Sequence, residues 1–102
     1  MRYTALAIPF VLMAFSAQAQ TPIWKQGKIS NLWVDPSDVV LELNIAGPCG
    51  TNLYHIQRTS PNFQEMAALM LTGGAQARTV EVYVTSCSGD RNVVSHGAVN
   101  FQ

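Results

Sequence analysis

The sequence predicts a mainly β protein with one helix, its elements in the order β-β-β-α-β-β. Two segments, residues 39–45 and 79–85, alternate apolar and polar side chains, which is typical of half-buried strands. Between them, the apolar side chains of residues 63–71 recur with the helical period. Short clusters of turn-forming residues separate the elements, and no connection is long enough to divide the chain into two domains.

The first twenty residues have the layout of a secretory signal peptide. Arg2 is the lone positive charge before an apolar run at residues 5–15, and Ala17 and Ala19 form a small-x-small cleavage site. The run is too short for a transmembrane span of about 20 residues. We therefore expect a signal peptide at residues 1–19, a single domain at residues 20–102, and an exported protein, periplasmic or secreted, without a membrane span.

Three strands are predicted before the helix. Residues 21–34 form the first strand, in which Gly27 marks a bulge or bend. A proline turn follows, where Asp35 and Asp38 are expected to cap backbone amides. In the second strand, residues 39–45, the odd-numbered apolar residues point to one face. Residues 51–58 form a third strand whose phase is ambiguous.

The helix has start and stop signals at both ends. Asn62 and Glu65 fit a capping box, and Ser60 as the cap with Pro61 at the first helical position is the alternative. Two glycines at residues 73–74 predict the end of the helix.

Two further strands complete the predicted order. In residues 79–85 the three valines point inward and Tyr83 points outward. Residues 93–101 form the last strand, with Val93, Val99 and Phe101 in one phase.

The two cysteines give an independent constraint on the fold. Cys49 and Cys87 are the only cysteines of the chain, and an oxidising compartment is expected to join them. They lie in the turns between strands 2 and 3 and between strands 4 and 5, which share one end of a five-stranded OB barrel. The OB-like barrel is therefore the predicted fold, and an open antiparallel sheet with one packed helix is the alternative.

This layout resembles that of a group of small secreted bacterial proteins. The matching segments are Gly27-Lys28-Ile29, the Met- and Ala-rich residues 65–70, and the valine strand that ends in Ser86-Cys87. Size, secretion and element order are also similar to those of the OB-fold B subunits of AB5-type bacterial toxins, which form rings and bind glycans. The second resemblance implies a glycan-binding or ring-forming role, and no receptor-binding residue is carried over with it.

Outward-facing aromatic residues are the candidates for ligand binding. Exposed aromatic rings stack on flat ligands and anchor interfaces, and Trp24, Trp33, Tyr54 and Tyr83 include such rings. Tyr54 lies on strand 3, a part of the usual OB ligand face, together with Arg58. The predicted ligand-binding residues are Tyr54, Arg58 and Tyr83.

The sequence points to no catalytic or metal-binding set. His55 and His96 are the only histidines, and two histidines without ordered carboxylates do not make a zinc site. Ser95, His96 and Asp90 invite a triad reading, but adjacent residues of a strand point to opposite faces, which argues against a bond between Ser95 and His96. We expect no catalytic residue, no metal and no cofactor.

Charge and composition narrow the function to binding or assembly. Without the signal peptide, five basic residues face six acidic ones, so no strong attraction to nucleic acid or to an anionic membrane is expected. The sequence predicts a non-enzymatic binding module for a glycan, an envelope component or a protein partner. The alternative is a homo-oligomer-forming structural subunit similar to a toxin B subunit, with Glu81 and Tyr83 at its interface.

Overall fold

Five strands and one helix follow one another in the predicted order β-β-β-α-β-β in a computed structural model that describes residues 22–102. The predicted signal peptide lies outside the described residues. The elements are β1 (Ile23–Val34), β2 (Asp38–Leu43), β3 (Leu53–Gln57), α1 (Phe63–Ala75), β4 (Thr79–Ser88) and β5 (Arg91–Asn100).

The five strands form one sheet that closes on itself in the order β1-β2-β3-β5-β4. β4 pairs with both β1 and β5, so the sheet is a ring and not the open sheet of the alternative prediction. β3 and β5 run parallel, and every other pair is antiparallel. The closed order follows from the crossover of α1, which separates β3 from β4 along the chain and leaves β3 beside β5.

The inside of the ring is an apolar core. The three valines of β4 are all buried, which confirms their predicted inward phase. α1 adds Met66 and Met70 to this core. The buried cluster is Leu41, Leu43, Tyr54, Ile56, Met66, Met70, Val80, Val82, Val84 and Val94.

The second strand is covered on both faces and not half-buried as its alternation predicts. Leu41 and Leu43 belong to the core cluster. Val40 and Asp38 have the opposite phase, yet they are 0% and 4% exposed. The alternation of apolar and polar residues identified β2 as a strand. It did not reveal that the face carrying Asp38 and Val40 is also covered by other residues.

The helix begins at the predicted cap but ends later than predicted. Its N-cap is Asn62, as the capping-box prediction has it and not the Ser60 alternative, but the Asn62 side chain makes no capping hydrogen bond, so the box itself does not form. The helix also continues through Gly73 to Ala75. After the end of the helix, the left-handed backbone geometry is at Ala77, with φ of 53°, and not at a glycine.

The predicted irregularity in β1 lies three residues further along the chain. The β1–β2 register shifts between Ile29 and Asn31, not at Gly27. Gly27 is instead a position of close approach, since a Cβ there would lie 2.6 Å from Asn44 Oδ1.

The last strand also departs from regular alternation. Val94 is buried in the core and Val99 packs against the same core, although residues an odd number apart face opposite sides of a regular strand. The β4–β5 pairing skips Ser95, which is the extra residue of a bulge. The predicted shared phase of Val93, Val99 and Phe101 is therefore wrong, and Phe101 lies beyond β5 with 53% exposure.

The predicted disulfide between Cys49 and Cys87 is present, with the two Cα atoms 5.7 Å apart. Cys87 lies within β4, opposite Asn92 of β5, and not in the turn. The side chain of Asn92 reinforces the same junction: its Oδ1 accepts from the Cys49 amide at 2.8 Å, and its Nδ2 donates to the carbonyls of Thr51 and Leu53. A covalent bond to β4 and a fully buried amide of β5 thus hold the β2–β3 loop against the paired ends of these two strands.

None of the helical structure in residues 22–102 is long and apolar enough to cross a membrane.

Candidate functional site

Three rings form a continuous row across the sheet, contributed by Trp24 of β1, Tyr83 of β4 and His96 of β5. Tyr83 pairs with Trp24 on one side and with His96 on the other. The ring centroids are 5.0 Å apart for Trp24 and Tyr83 and 5.6 Å apart for Tyr83 and His96. We call these three residues the aromatic row.

The aromatic row lies on the outside of the ring because of the phase of β4. Val82 and Val84 face the core, so Tyr83 between them points outward, as predicted. Trp24 is 52% exposed and His96 is also exposed. Solvent therefore reaches both ends of the row.

A polar pair borders the row on the same face. Gln26 and Glu81 are register partners two residues along from Trp24 and Tyr83, and Gln26 Nε2 donates to a Glu81 carboxylate oxygen at 2.6 Å. Two-residue spacing keeps these side chains on the face of the row. The surface thus combines aromatic rings with hydrogen-bonding groups.

The bulge in β5 overturns one argument from the sequence. Ser95 Oγ and His96 Nδ1 form a hydrogen bond of 2.6 Å, although regular alternation would separate them. The extra residue of a bulge disrupts that alternation, so neighbouring side chains can meet. Asn62 Nδ2 donates to the Ser95 carbonyl at 3.0 Å and ties the start of α1 to the bulge. The hydrogen bond between Ser95 and His96 positions the His96 ring next to Tyr83.

Tyr54 does not reach the surface. Its side chain is 0% exposed, and its hydroxyl donates to the Ile45 carbonyl at 3.0 Å. Burial raises the pKa of Tyr54 to about 12. The ambiguous phase of β3 resolves with Tyr54 and Ile56 inside the core, so Tyr54 is a core residue and does not face a ligand.

Arg58 is exposed but separate from the aromatic row. Its guanidinium lies 5.0 Å from the centre of the Phe63 ring and donates to the Asp35 carbonyl at 3.3 Å. The structure therefore does not bring Tyr54, Arg58 and Tyr83 together on one surface. Of the three predicted residues, Tyr83 lies in a group of exposed rings.

Sequence reasoning missed a polar cavity of about 440 Å³. Its walls are formed by Ser37, Asp38, His55, Gln57, Thr59, Ser88, Asp90 and Arg91. The side chains of Asp38 and His55 are hydrogen-bonded to each other and buried, so Asp38 is not the turn cap that the sequence predicts. Asp38 pairs with Gln57 and His55 pairs with Val40, which makes Asp38 and His55 diagonal neighbours across β2 and β3. The sequence signal that could have revealed this pair is that Asp38 and His55 point to the same face of two adjacent strands.

Each histidine lies on a strand and bonds a neighbour: His55 bonds Asp38 and His96 bonds Ser95. Within residues 22–102, His, Cys, Asp and Glu side chains form no group of three or more that could hold a metal ion.

Comparison with family models, curated proteins and solved structures finds no match to this chain.

Proposed function

We propose that this protein is an exported, non-enzymatic binding module with an OB-like barrel, and that it binds a glycan of the cell envelope through the aromatic row. The closed order of five strands, with β3 parallel to β5 and a helix between β3 and β4, supports the OB-like architecture. The disulfide supports export, because such bonds persist in oxidising compartments.

The observation that carries the proposal is the continuous row of three rings, with Trp24 and His96 exposed at its ends and Tyr83 half-buried between them. Sugar rings present apolar C–H faces and hydroxyl edges. Trp24 and Tyr83 offer aromatic surface to the faces, while Gln26 and Glu81 offer hydrogen bonds to the hydroxyl groups. A site with both features at an exposed position suits a saccharide better than a purely apolar or a purely charged ligand.

Glycan-array binding by the mature protein tests this proposal. We expect binding to envelope-type glycans that weakens at least tenfold in Trp24→Ala and Tyr83→Ala. The matched control is Phe101→Ala, which removes an equally exposed ring outside the row. Far-UV circular dichroism checks that each variant is folded. Equal weakening by the control, or no glycan bound by the wild type, would contradict the proposal.

Self-association is the second candidate function, and the exposure of Trp24 favours it. β4 is hydrogen-bonded to strands on both sides, so copies of the protein cannot join by adding a strand to β4. An oligomer would instead pack the side chains of the aromatic row against a second copy. Sedimentation of the mature protein at tens of micromolar distinguishes the two: a monomer supports the binding module, and an oligomer dissociated by Tyr83→Ala supports assembly.

A further inference from the structure

The polar cavity is bordered by a group of ionisable side chains, two of them buried, that the proposed glycan site does not use. One carboxylate oxygen of Asp38, Oδ2, contacts His55 Nδ1 and lies 3.4 Å from the guanidinium of Arg91. Arg91 also lies 3.3 Å from a carboxylate oxygen of Asp35. The side chains of Asp38 and His55 are each only 6% exposed, so these contacts fix both of them in the wall of the cavity.

Two polar atoms of this group have no hydrogen-bond partner within the described residues. They are Asp38 Oδ1 and His55 Nε2, and both are buried. More than nine in ten buried polar groups in folded proteins have a partner, so an exception at a cavity wall calls for an explanation. Because both residues line the cavity, a partner that enters the cavity is the direct explanation.

Asp38 Oδ1 is a hydrogen-bond acceptor, and His55 Nε2 is one in the neutral tautomer that donates from Nδ1 to Asp38. Asp38 Oδ1 belongs to a carboxylate whose other oxygen already accepts from its neighbours. When the neutral imidazole of His55 donates its Nδ1 proton to Asp38, Nε2 is left with a lone pair. The missing partner therefore supplies hydrogen-bond donors.

The charge around the cavity indicates which kind of donor fits. Asp38 and Asp90 line the cavity together with Arg91, and Arg91 is also paired with Asp35. Among the charged lining side chains, the two carboxylates of Asp38 and Asp90 thus outnumber the one guanidinium of Arg91, which leaves a surplus of negative charge at the cavity. A cationic donor gains from this surplus, whereas an anion is repelled.

We propose that this cavity binds a primary ammonium group, which donates to Asp38 Oδ1 while a second donor of the same ligand, such as a neighbouring hydroxyl group, reaches His55 Nε2 on the far side of the imidazole ring. An ammonium has three N–H donors and no acceptor, and it carries the charge that the surplus favours. A quaternary ammonium lacks those donors and is typically bound by several aromatic faces, whereas His55 contributes the only ring among the described lining residues. A volume of about 440 Å³ accommodates a small amine or the amino-bearing end of a larger molecule.

Three small probes that share a hydroxyethyl group test the proposal on the wild-type protein. Ethanolamine carries the ammonium, choline carries a methylated cation without N–H donors, and ethylene glycol replaces the ammonium by a hydroxyl group. At pH 7.5 we expect ethanolamine to bind at least tenfold more tightly than either of the others. If choline binds as tightly as ethanolamine, the cavity attracts any cation and does not need N–H donors. If ethylene glycol binds as tightly, the cavity recognises a hydroxyl group and not an ammonium. Either result overturns the proposal.

Nitrogen-detected spectra of the histidine rings locate the binding without any substitution. The chain has two histidines, so the spectra contain only two rings. We expect ethanolamine to shift the Nε2 signal of His55 and to leave that of His96 in place. A shift of His96 alone would place the amine at the aromatic row and overturn the proposal for the cavity.

A blocking substitution provides the independent check. Ser88 lines the cavity from an exposed position at the end of β4, so Ser88→Tyr places a large side chain at the wall without disturbing the core. Ser86→Tyr is the matched control, two residues earlier on β4, also exposed and outside the lining set of the described residues. We expect at least tenfold weaker ethanolamine binding in Ser88→Tyr and unchanged binding in Ser86→Tyr. Equal effects of the two variants would contradict the site.

The ammonium can belong to an amino alcohol headgroup or to an amino sugar. Glucosamine and glucose, added in the same titration, separate these sources. Binding of glucosamine but not glucose, at the affinity of ethanolamine or tighter, indicates an amino sugar. Binding of ethanolamine alone indicates an amino alcohol. Because the cavity variants leave the aromatic row intact, failure here is distinguishable from failure of the glycan array.

Discussion

At the scale of single residues, a substitution at Tyr54 tests whether this residue belongs to the core, as the structure has it, or to a ligand site, as the sequence predicts. Tyr54→Phe removes only the hydroxyl that donates to the Ile45 carbonyl. We expect the free energy of unfolding to fall by about 1 kcal/mol, the usual worth of one hydrogen bond, with ligand binding unchanged. Urea unfolding followed by fluorescence measures the first, and the glycan array measures the second. Weaker glycan binding by a folded variant would contradict the core assignment.

The same residue predicts loss of stability at alkaline pH. The pKa of Tyr54 is raised by burial from 10.0 to about 12 in the folded protein. Between these values the unfolded chain releases the phenolic proton and the folded protein keeps it, so ionisation favours unfolding. The stabilisation is complete below pH 10 and is lost as pH rises toward 12. Urea midpoints of Tyr54→Phe should therefore decline less steeply over this range than those of the wild type.

Ser95 and His96 show where residue-level reasoning from the sequence reached its limit. Their adjacency argues for opposite faces, and a single bulge reverses that conclusion. The bulge depends on how β5 pairs with β4, which involves residues that the local sequence around Ser95 does not include.

At the scale of elements, two neighbouring glycines of α1 give a matched pair of substitutions. A Cβ at Gly73 would lie 2.7 Å from Val80 and 3.0 Å from Val99, so Gly73→Ala forces the helix away from β4 and β5. A Cβ at Gly74 would meet Ile29 at 3.6 Å, an ordinary contact.

The two substitutions should change stability in opposite directions. Overpacking should make Gly73→Ala less stable by about 1–3 kcal/mol. Gly74→Ala should raise stability by about 0.5–1 kcal/mol, because alanine loses less backbone entropy in a helix. Thermal and urea unfolding of both variants check this, and equal effects would show that α1 does not pack on the strands as closely as described. Glycine signals a helix end in the sequence, but here it permits close packing.

At the scale of the whole molecule, the disulfide restrains a loop of 38 residues. The chain-entropy relation gives about 4 kcal/mol for a loop of this length. We expect the Cys49→Ala/Cys87→Ala double variant to lose stability of this order in urea unfolding at neutral pH. The wild type with its disulfide reduced should show a similar loss, which controls for the substitutions themselves. A difference below about 1 kcal/mol would mean that hydrogen bonds such as those of Asn92 already hold the junction.

The sequence by itself determined the order of the elements, the inward valines of β4 and the pairing of two cysteines. Each of these follows from local alternation, from turn residues or from a count that allows one answer. The tertiary structure decided the burial of Tyr54, the bulge at Ser95 and the meeting of Asp38, His55 and Arg91. Arg91 lies 53 residues from Asp38 along the chain. Contacts between residues so far apart in the chain depend on how the sheet closes, and the local periodicity of the sequence does not predict that closure.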